Sequence, residues 1–208
     1  MKISVITPTI RPKGLEIVKD CLSKQTFTDF EWLVEVGLGK EHDLNRAFNK
    51  MLKRAKGELI VFYQDYIQIP DDGLQKMWDE YQKDKSYLIT APVGKSDDYT
   101  NPKYDWRAFK FEDVGFQGWE IDWGACPKSI LFEIGGFNED LDEYWSFDNV
   151  DVAYRALKAG YKFKCIDNIA IAIDHDKLEK HPFREDFNPQ NNNESLSKID
   201  KGNYKKWI

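Results

Sequence analysis

The chain predicts an α/β domain with a mostly parallel central sheet and helices on both faces. Short β-rich runs alternate with segments of helical apolar period, and the spacing between successive runs is the length of a helix. At 208 residues, with 41% hydrophobic and 32% charged side chains, the chain is long enough for one sizeable core.

The first run, residues 2–7 (KISVIT), is a buried strand that Pro8 ends. Leu15, Val18 and Leu22 mark a helix over 13–25. EWLVEV at 31–36 is the second strand, and Leu44, Phe48 and Leu52 mark a second helix over 42–56, with Gly57 as its stop. A third strand spans 58–63. Asp71 and Asp72 are placed to cap a helix at 72–83, and SYLITA at 86–91 is the fourth strand. Residues 94–118 lack periodicity and read as a long loop or irregular hairpin. Residues 124–160 run from a small-residue strand end through a short helix, a GGF turn and an acidic, aromatic loop into a helix that opens at Asp148. An apolar run at 169–173 follows. One domain is expected over 1–183, with 184–208 a polar tail packed on it or partly disordered.

The net charge of −6 argues against a general nucleic-acid binder, whose phosphate contacts need excess Lys and Arg. It is compatible with a small polyphosphate held by a metal. A nucleic-acid acceptor would need a local patch from Lys and Arg in 94–118 and the tail. Three unevenly spaced cysteines, Cys21, Cys126 and Cys165, are not a disulfide framework. No run reaches the length of a membrane span and none resembles a signal peptide, so a cytoplasmic location is expected.

In open α/β sheets ligands bind at the carboxyl ends of the strands. Those ends are Thr7 to Arg11, Glu35 to Gly39 and Gln64 to Ile67. Asp65 follows the third strand, where a carboxylate can hold Mg²⁺ or Mn²⁺ against a diphosphate; a plain turn aspartate is the alternative. His175, after the 169–173 run, is a metal-ligand candidate or a structural histidine. His42 and His181 read as surface residues. On the 148 helix, Asp148, Asp151 and Arg155 share one stripe, and Val150, Ala153 and Leu157 the opposite one. Packing the apolar stripe on the sheet turns the carboxylates toward a cleft. The alternatives are a helix-dipole role for Asp148 and a surface i,i+4 pair for Asp151 and Arg155.

These segments, in this order, resemble the family 2 glycosyltransferases of GT-A fold over residues 2 to about 176. ISVITPTIRP resembles the family's first strand and nucleotide loop, and NRAFNKMLKRAKGELIVFYQD the helix and strand that lead into its metal-binding DXD motif. GACPKSILFEIGGFNED resembles its acceptor-side helix and turn, and FDNVDVAYRALKAGYKF its ED-containing helix. The resemblance implies an inverting, metal-assisted transfer of a sugar from a nucleotide-diphosphate donor, a UDP-sugar foremost, to the hydroxyl of a glycan or other acceptor. It implies donor contacts from Pro8, Thr9, Arg11, Glu35, Arg46, Gln64 and Asp65, with a helix-surface role as the alternative for Arg46. Asp65 and His175 would hold Mn²⁺ or Mg²⁺. Trp123, Gly124 and Trp145 would form the acceptor side.

Two positions depart from the family pattern. The DXD position reads Tyr63-Gln64-Asp65-Tyr66, and the ED position reads Asp148-Asn149. An amide cannot accept a proton, so the base role passes to Asp148 or, second, Asp151. The rival readings are a non-catalytic nucleotide or sugar-binding module of the same fold and a nucleotidyltransferase. The absence of a glycine-rich phosphate loop near the first strand counts against the latter.

Overall fold

The computed structural model describes residues 1–37, 43–104, 111–142, 148–173 and 207–208. Strands β1 (Ile3–Thr9), β2 (Phe30–Val36), β3 (Leu59–Tyr63), β5 (Tyr87–Thr90), β7 (Trp123–Pro127) and β8 (Lys162–Cys165) form one sheet in the order β2-β1-β3-β7-β5-β8. A smaller sheet joins β4 (Ile67–Gln68), β9 (Ala170–Ile173) and β6 (Val93–Ser96), in the order β4-β9-β6. The helices are α1 (Leu15–Ser23), α2 (Leu44–Arg54), α3 (Gly73–Lys83), α4 (Lys128–Glu133) and α5 (Asp148–Lys158).

The predicted α/β fold, its first four strands and its first three helices are present. The sheet is mixed, however. β1 pairs parallel with β2 and β3, and β5 with β8, but β7 runs antiparallel to both β3 and β5. The 94–118 segment contains an irregular hairpin, where the backbones of Lys95 and Lys103 exchange two hydrogen bonds of 2.8 Å.

Side chains alternate across each strand and so serve two cores. Ile3, Val5, Leu59, Val61, Tyr63, Trp123 and Ala125 face the α1 and α3 side with Val18, Leu74 and Met77. Ile6, Ile60, Phe62 and Cys126 face the other side with Phe48, Leu52, Ile130 and Val152. All three cysteines are buried thiols. Pro8 does not end β1, which runs on to Thr9. Pairing with β3 stops at Ile6–Phe62, whereas pairing with β2 continues through Pro8–Glu35 to Thr9–Val36. Proline's missing N–H is tolerated where one neighbour has already left. β1 and β2 thereby overhang β3.

Two helices take their N-terminal caps from distant chain. Asp43 and Asp72 hold the N-cap positions of α2 and α3 without a side-chain cap bond. Asp142 instead accepts from the backbone N–H groups of Asn45 (2.7 Å) and Arg46 (3.1 Å), and Gln25 accepts from that of Leu74 (2.9 Å). Asp72 pairs with Lys76 at 3.3 Å. Gly57 is not the stop of α2, whose last residue is Arg54. A Cβ on Gly57 would lie 2.4 Å from the backbone nitrogen of Ser4, so this position is glycine because it passes tightly over β1.

Candidate functional site

Because β1 and β2 overhang β3, a cleft of about 320 Å³ opens at their carboxyl ends. Pro8, Thr9, Ile10 and Arg11 come from the end of β1, Glu35 and Gly37 from β2, and Gln64, Asp65 and Tyr66 from the turn after β3. Asp43, Leu44 and Ala47 of the α2 start close one wall, and Glu120, Ile121, Asp122 and Asn149 close the other. Six predicted donor-contact residues, Pro8, Thr9, Arg11, Glu35, Gln64 and Asp65, therefore share one cavity.

The lower wall is tied together by side chains. Thr9 donates its hydroxyl to Oδ2 of Asp65, and its oxygen accepts the backbone N–H of Arg11 at 2.8 Å. Asp65 and Arg11 are both buried, at 4% and 5% exposure, so the cleft floor carries an anionic and a cationic residue in low-dielectric surroundings. Glu35 sits at the β2 edge, paired with Lys50 (3.2 Å) and Arg54 (3.1 Å). The Tyr66 hydroxyl donates to Asp122 at 3.1 Å. Burial holds the Tyr66 phenol well above its ordinary pKa, and the Asp122 charge adds to this, so the phenol stays a proton donor across the neutral range.

The upper wall escapes sequence reasoning. Residues 120–122 enter the cleft because β7 is antiparallel: its beginning, not its end, lies at the carboxyl ends of β1 and β3. Gln64 donates its backbone N–H to the Asp122 carbonyl at 3.2 Å, which locks the two segments together. Asn149, in the first turn of α5, reaches over from above and donates its amide to Oε2 of Glu120 (2.7 Å) and to the Trp119 carbonyl (3.1 Å).

Several predicted site residues lie elsewhere. Asp151 is fully buried, and its Oδ2 accepts from Arg155 at 2.5 and 2.9 Å. Arg155 also donates to the Ile134 carbonyl at 2.5 Å and covers the Trp207 ring at 5.7 Å. The expected stripe is thus turned inward: the ion pair is buried beside Val152, Ala153 and Ala156, while Leu157 is 44% exposed. Asp151 is not a cleft residue. Trp123 is a core side chain, packed on Tyr63 and donating to the Asn168 carbonyl at 3.0 Å. Gly124 lies inside β7, where a Cβ would stand 2.3 Å from the Glu120 carbonyl oxygen. Its smallness lets the 120–122 segment fold back on the strand. Arg46 takes the helix-surface role, paired with Asp43 (3.1 Å) and Glu139 (3.6 Å). Trp145, His175 and the side chain of Asp148 lie outside the described residues, as do His42 and His181.

The cleft's oxygen-rich carboxylates are the donor type that suits Mg²⁺ or Mn²⁺. Among the described residues no group of three His, Cys, Asp or Glu is arranged to hold a metal by itself. No helix among them is long and apolar enough to cross a membrane.

Neither the known protein-family models nor the curated proteins include a match to this chain. Solved structures do match. S. aureus TarS 1–349 in complex with UDP superposes with a TM-score of 0.65 at 18% identity, over 84% of this chain and 61% of that one. The same TarS fragment in complex with UDP-GlcNAc gives 0.64 at 16% identity, over 87% and 61%. A longer S. aureus TarS chain gives 0.63 at 17%, over 86% and 38%. At such identity the likeness is one of fold. The chain spans less than two thirds of the length of these structures.

Proposed function

We propose that the protein is a GT-A type, family 2-like glycosyltransferase that moves a sugar from a nucleotide-diphosphate donor to an acceptor hydroxyl with inversion. The observation that carries this reading is the convergence of Pro8, Thr9, Arg11, Glu35, Gln64 and Asp65 on one cleft at the carboxyl ends of β1–β3. The fold in which they converge is shared with TarS, whose crystals hold UDP and UDP-GlcNAc. A UDP-sugar is therefore the first donor to try.

In this reading the nucleoside lies against Ile10, Leu44 and Ala47, with Thr9 and Glu35 at its polar edges. The buried Arg11 guanidinium meets the diphosphate. A bound Mn²⁺ or Mg²⁺ would supply Lewis-acid chemistry at the diphosphate. Asp65 would hold the ion, with His175 as the second protein ligand. An acceptor hydroxyl enters from the α5 side, where Asp148 is the base that the sequence pattern puts forward.

Asn149 in the family's base position favours a second reading, a binding module that retains the fold without turnover. A thermal-shift panel of UDP-, GDP-, CMP- and dTDP-sugars with and without Mn²⁺, followed by an assay for nucleotide release, separates the two. A donor at about 100 times its dissociation constant adds about 2.7 kcal/mol of stability. A shift with release supports the transferase; a shift without release supports the binding module. No shift with any donor ends both.

A further inference from the structure

The hydrogen bond between Asn149 and Glu120 ties the first turn of α5 to the segment that enters β7, and both residues line the cleft. The Nδ2 group of Asn149 has two protons. One goes to Oε2 of Glu120 at 2.7 Å and the other to the Trp119 carbonyl at 3.1 Å. That pair of acceptors fixes the amide's orientation and aims its donor face at the Glu120 carboxylate. A donor so placed holds the carboxylate in one direction. Glu120 itself is anchored at the entry to β7, where its carbonyl packs against Gly124 and its N–H reaches the Thr90 hydroxyl at 3.3 Å.

The other cleft carboxylates are engaged differently. Glu35 is paired with Lys50 and Arg54 at the far edge, and Asp43 with Arg46. Asp65 accepts from Thr9, and Asp122 accepts from the Tyr66 hydroxyl. Glu120 is the carboxylate that the α5 amide holds, on the side where an acceptor enters.

We propose that Glu120 is the catalytic base and Asn149 its positioning residue, an inference that rests on the sugar-transfer reading. The acceptor oxygen forms a bond to the anomeric carbon of the nucleotide-diphosphate sugar. The bond from that carbon to the diphosphate oxygen breaks, and its electron pair leaves with the diphosphate. The proton of the acceptor hydroxyl passes to the Glu120 carboxylate. With water as acceptor the same step is donor hydrolysis, which gives an assay that needs no knowledge of the natural acceptor.

The test uses the full chain, Mn²⁺ and UDP-GlcNAc, or whichever panel donor gives a thermal shift. Four variants are compared: Glu120→Gln, Asn149→Ala, Glu120→Gln/Asn149→Asp and Asp148→Asn. General-base catalysis contributes about 10²–10⁴-fold, so Glu120→Gln should lower UDP release by at least about a hundredfold while the donor-induced shift persists. Asn149→Ala should lower kcat and leave the donor KM unchanged. The double variant, which returns a carboxylate to the α5 position, should regain at least about tenfold over Glu120→Gln alone. Full release by Glu120→Gln together with its loss in Asp148→Asn would make Asp148 the base. Loss of both the donor shift and release in a folded Glu120→Gln protein would make Glu120 a donor-binding group, and the proposal would fall. A wild-type protein that shows no shift with any donor overturns the sugar-transfer reading itself, an outcome distinct from either of these. Should Glu120→Gln fail to fold, the Asn149→Ala comparison decides: unchanged kcat sinks the proposal.

Discussion

Thr9 donates its hydroxyl to the carboxylate of Asp65, fifty-six residues later, and so couples the end of β1 to the turn after β3 at the floor of the cleft. The same oxygen accepts from the Arg11 backbone, so one small side chain sets the positions of both buried charges. A hydrogen bond to a charged group contributes about 1.5–3 kcal/mol. Thr9→Val should lower stability by about that amount, and Thr9→Ser should be nearly neutral, as read by urea denaturation. Asp65→Asn keeps the shape and removes the charge. Its expected effect is a loss of about tenfold or more in donor affinity in the presence of Mn²⁺, about 1.4 kcal/mol, with little change in EDTA. Equal losses in both buffers would place Asp65 outside the metal site.

Asp142 caps α2 from ninety-seven residues away and is buried, which gives the cap a pH signature. Burial raises its pKa from the ordinary carboxylate value to about 6, against the lowering effect of the Asn45 and Arg46 N–H groups. The native state then holds a proton that the unfolded chain has released. The Asp142 contribution to stability is fully present below about pH 4 and is lost as pH rises through about 6. The shift corresponds to a loss on the order of 3 kcal/mol. Asp142→Asn should flatten the stability profile between pH 4 and 6 relative to wild type. Its cost should be largest at low pH, where the wild-type carboxyl contributes fully, because Asn has one acceptor oxygen where Asp142 uses two. An unchanged slope in that window would remove Asp142 as its source.

Gly57 is a glycine for close approach to β1 and not for helix termination. In sequence it follows a helix and looks like its stop, but α2 ends at Arg54 and the chain from Ala55 onward is extended. Gly57→Ala would press a methyl group against the Ser4 and Ile3 backbone, which cannot give way within a paired strand. Overpacking of this kind costs about 1–3 kcal/mol. A melting temperature equal to wild type would show that β1 can shift after all.

The lower half of the cleft was legible because it follows from periodicity alone. Once β1, β2 and β3 are recognised as strands separated by helices, their carboxyl ends converge, and Thr9, Arg11, Glu35, Gln64 and Asp65 come with them. The upper half was not legible because it depends on strand direction. WGACP is a five-residue, fully buried strand, and such a run reads the same in either sense. Only its pairing, antiparallel to both neighbours, brings Glu120 and Asp122 to the cleft. Trp123 was misplaced for a related reason: adjacent strand residues point to opposite faces, so a residue next to the cleft can still belong wholly to the core.

The helical period correctly puts Asp151 and Arg155 on one stripe, but a stripe does not say which way it faces. Inward orientation rests here on two bonds between Arg155 and Oδ2 of Asp151, and on the Ile134 carbonyl and the Trp207 ring, groups supplied by distant chain. Removing one member of such a pair strands a buried charge and costs about 3–5 kcal/mol, whereas replacing both by apolar groups of similar size is often close to neutral. Arg155→Met should therefore destabilise the protein by about 3–5 kcal/mol in urea denaturation. The double variant Asp151→Leu/Arg155→Met should recover most of that loss. Donor binding should be unaffected in the double variant, because neither side chain lines the cleft. If instead the double variant is stable and folded but releases no UDP, Asp151 reaches the reaction after all, and the assignment of proton transfer to the Glu120 wall is wrong.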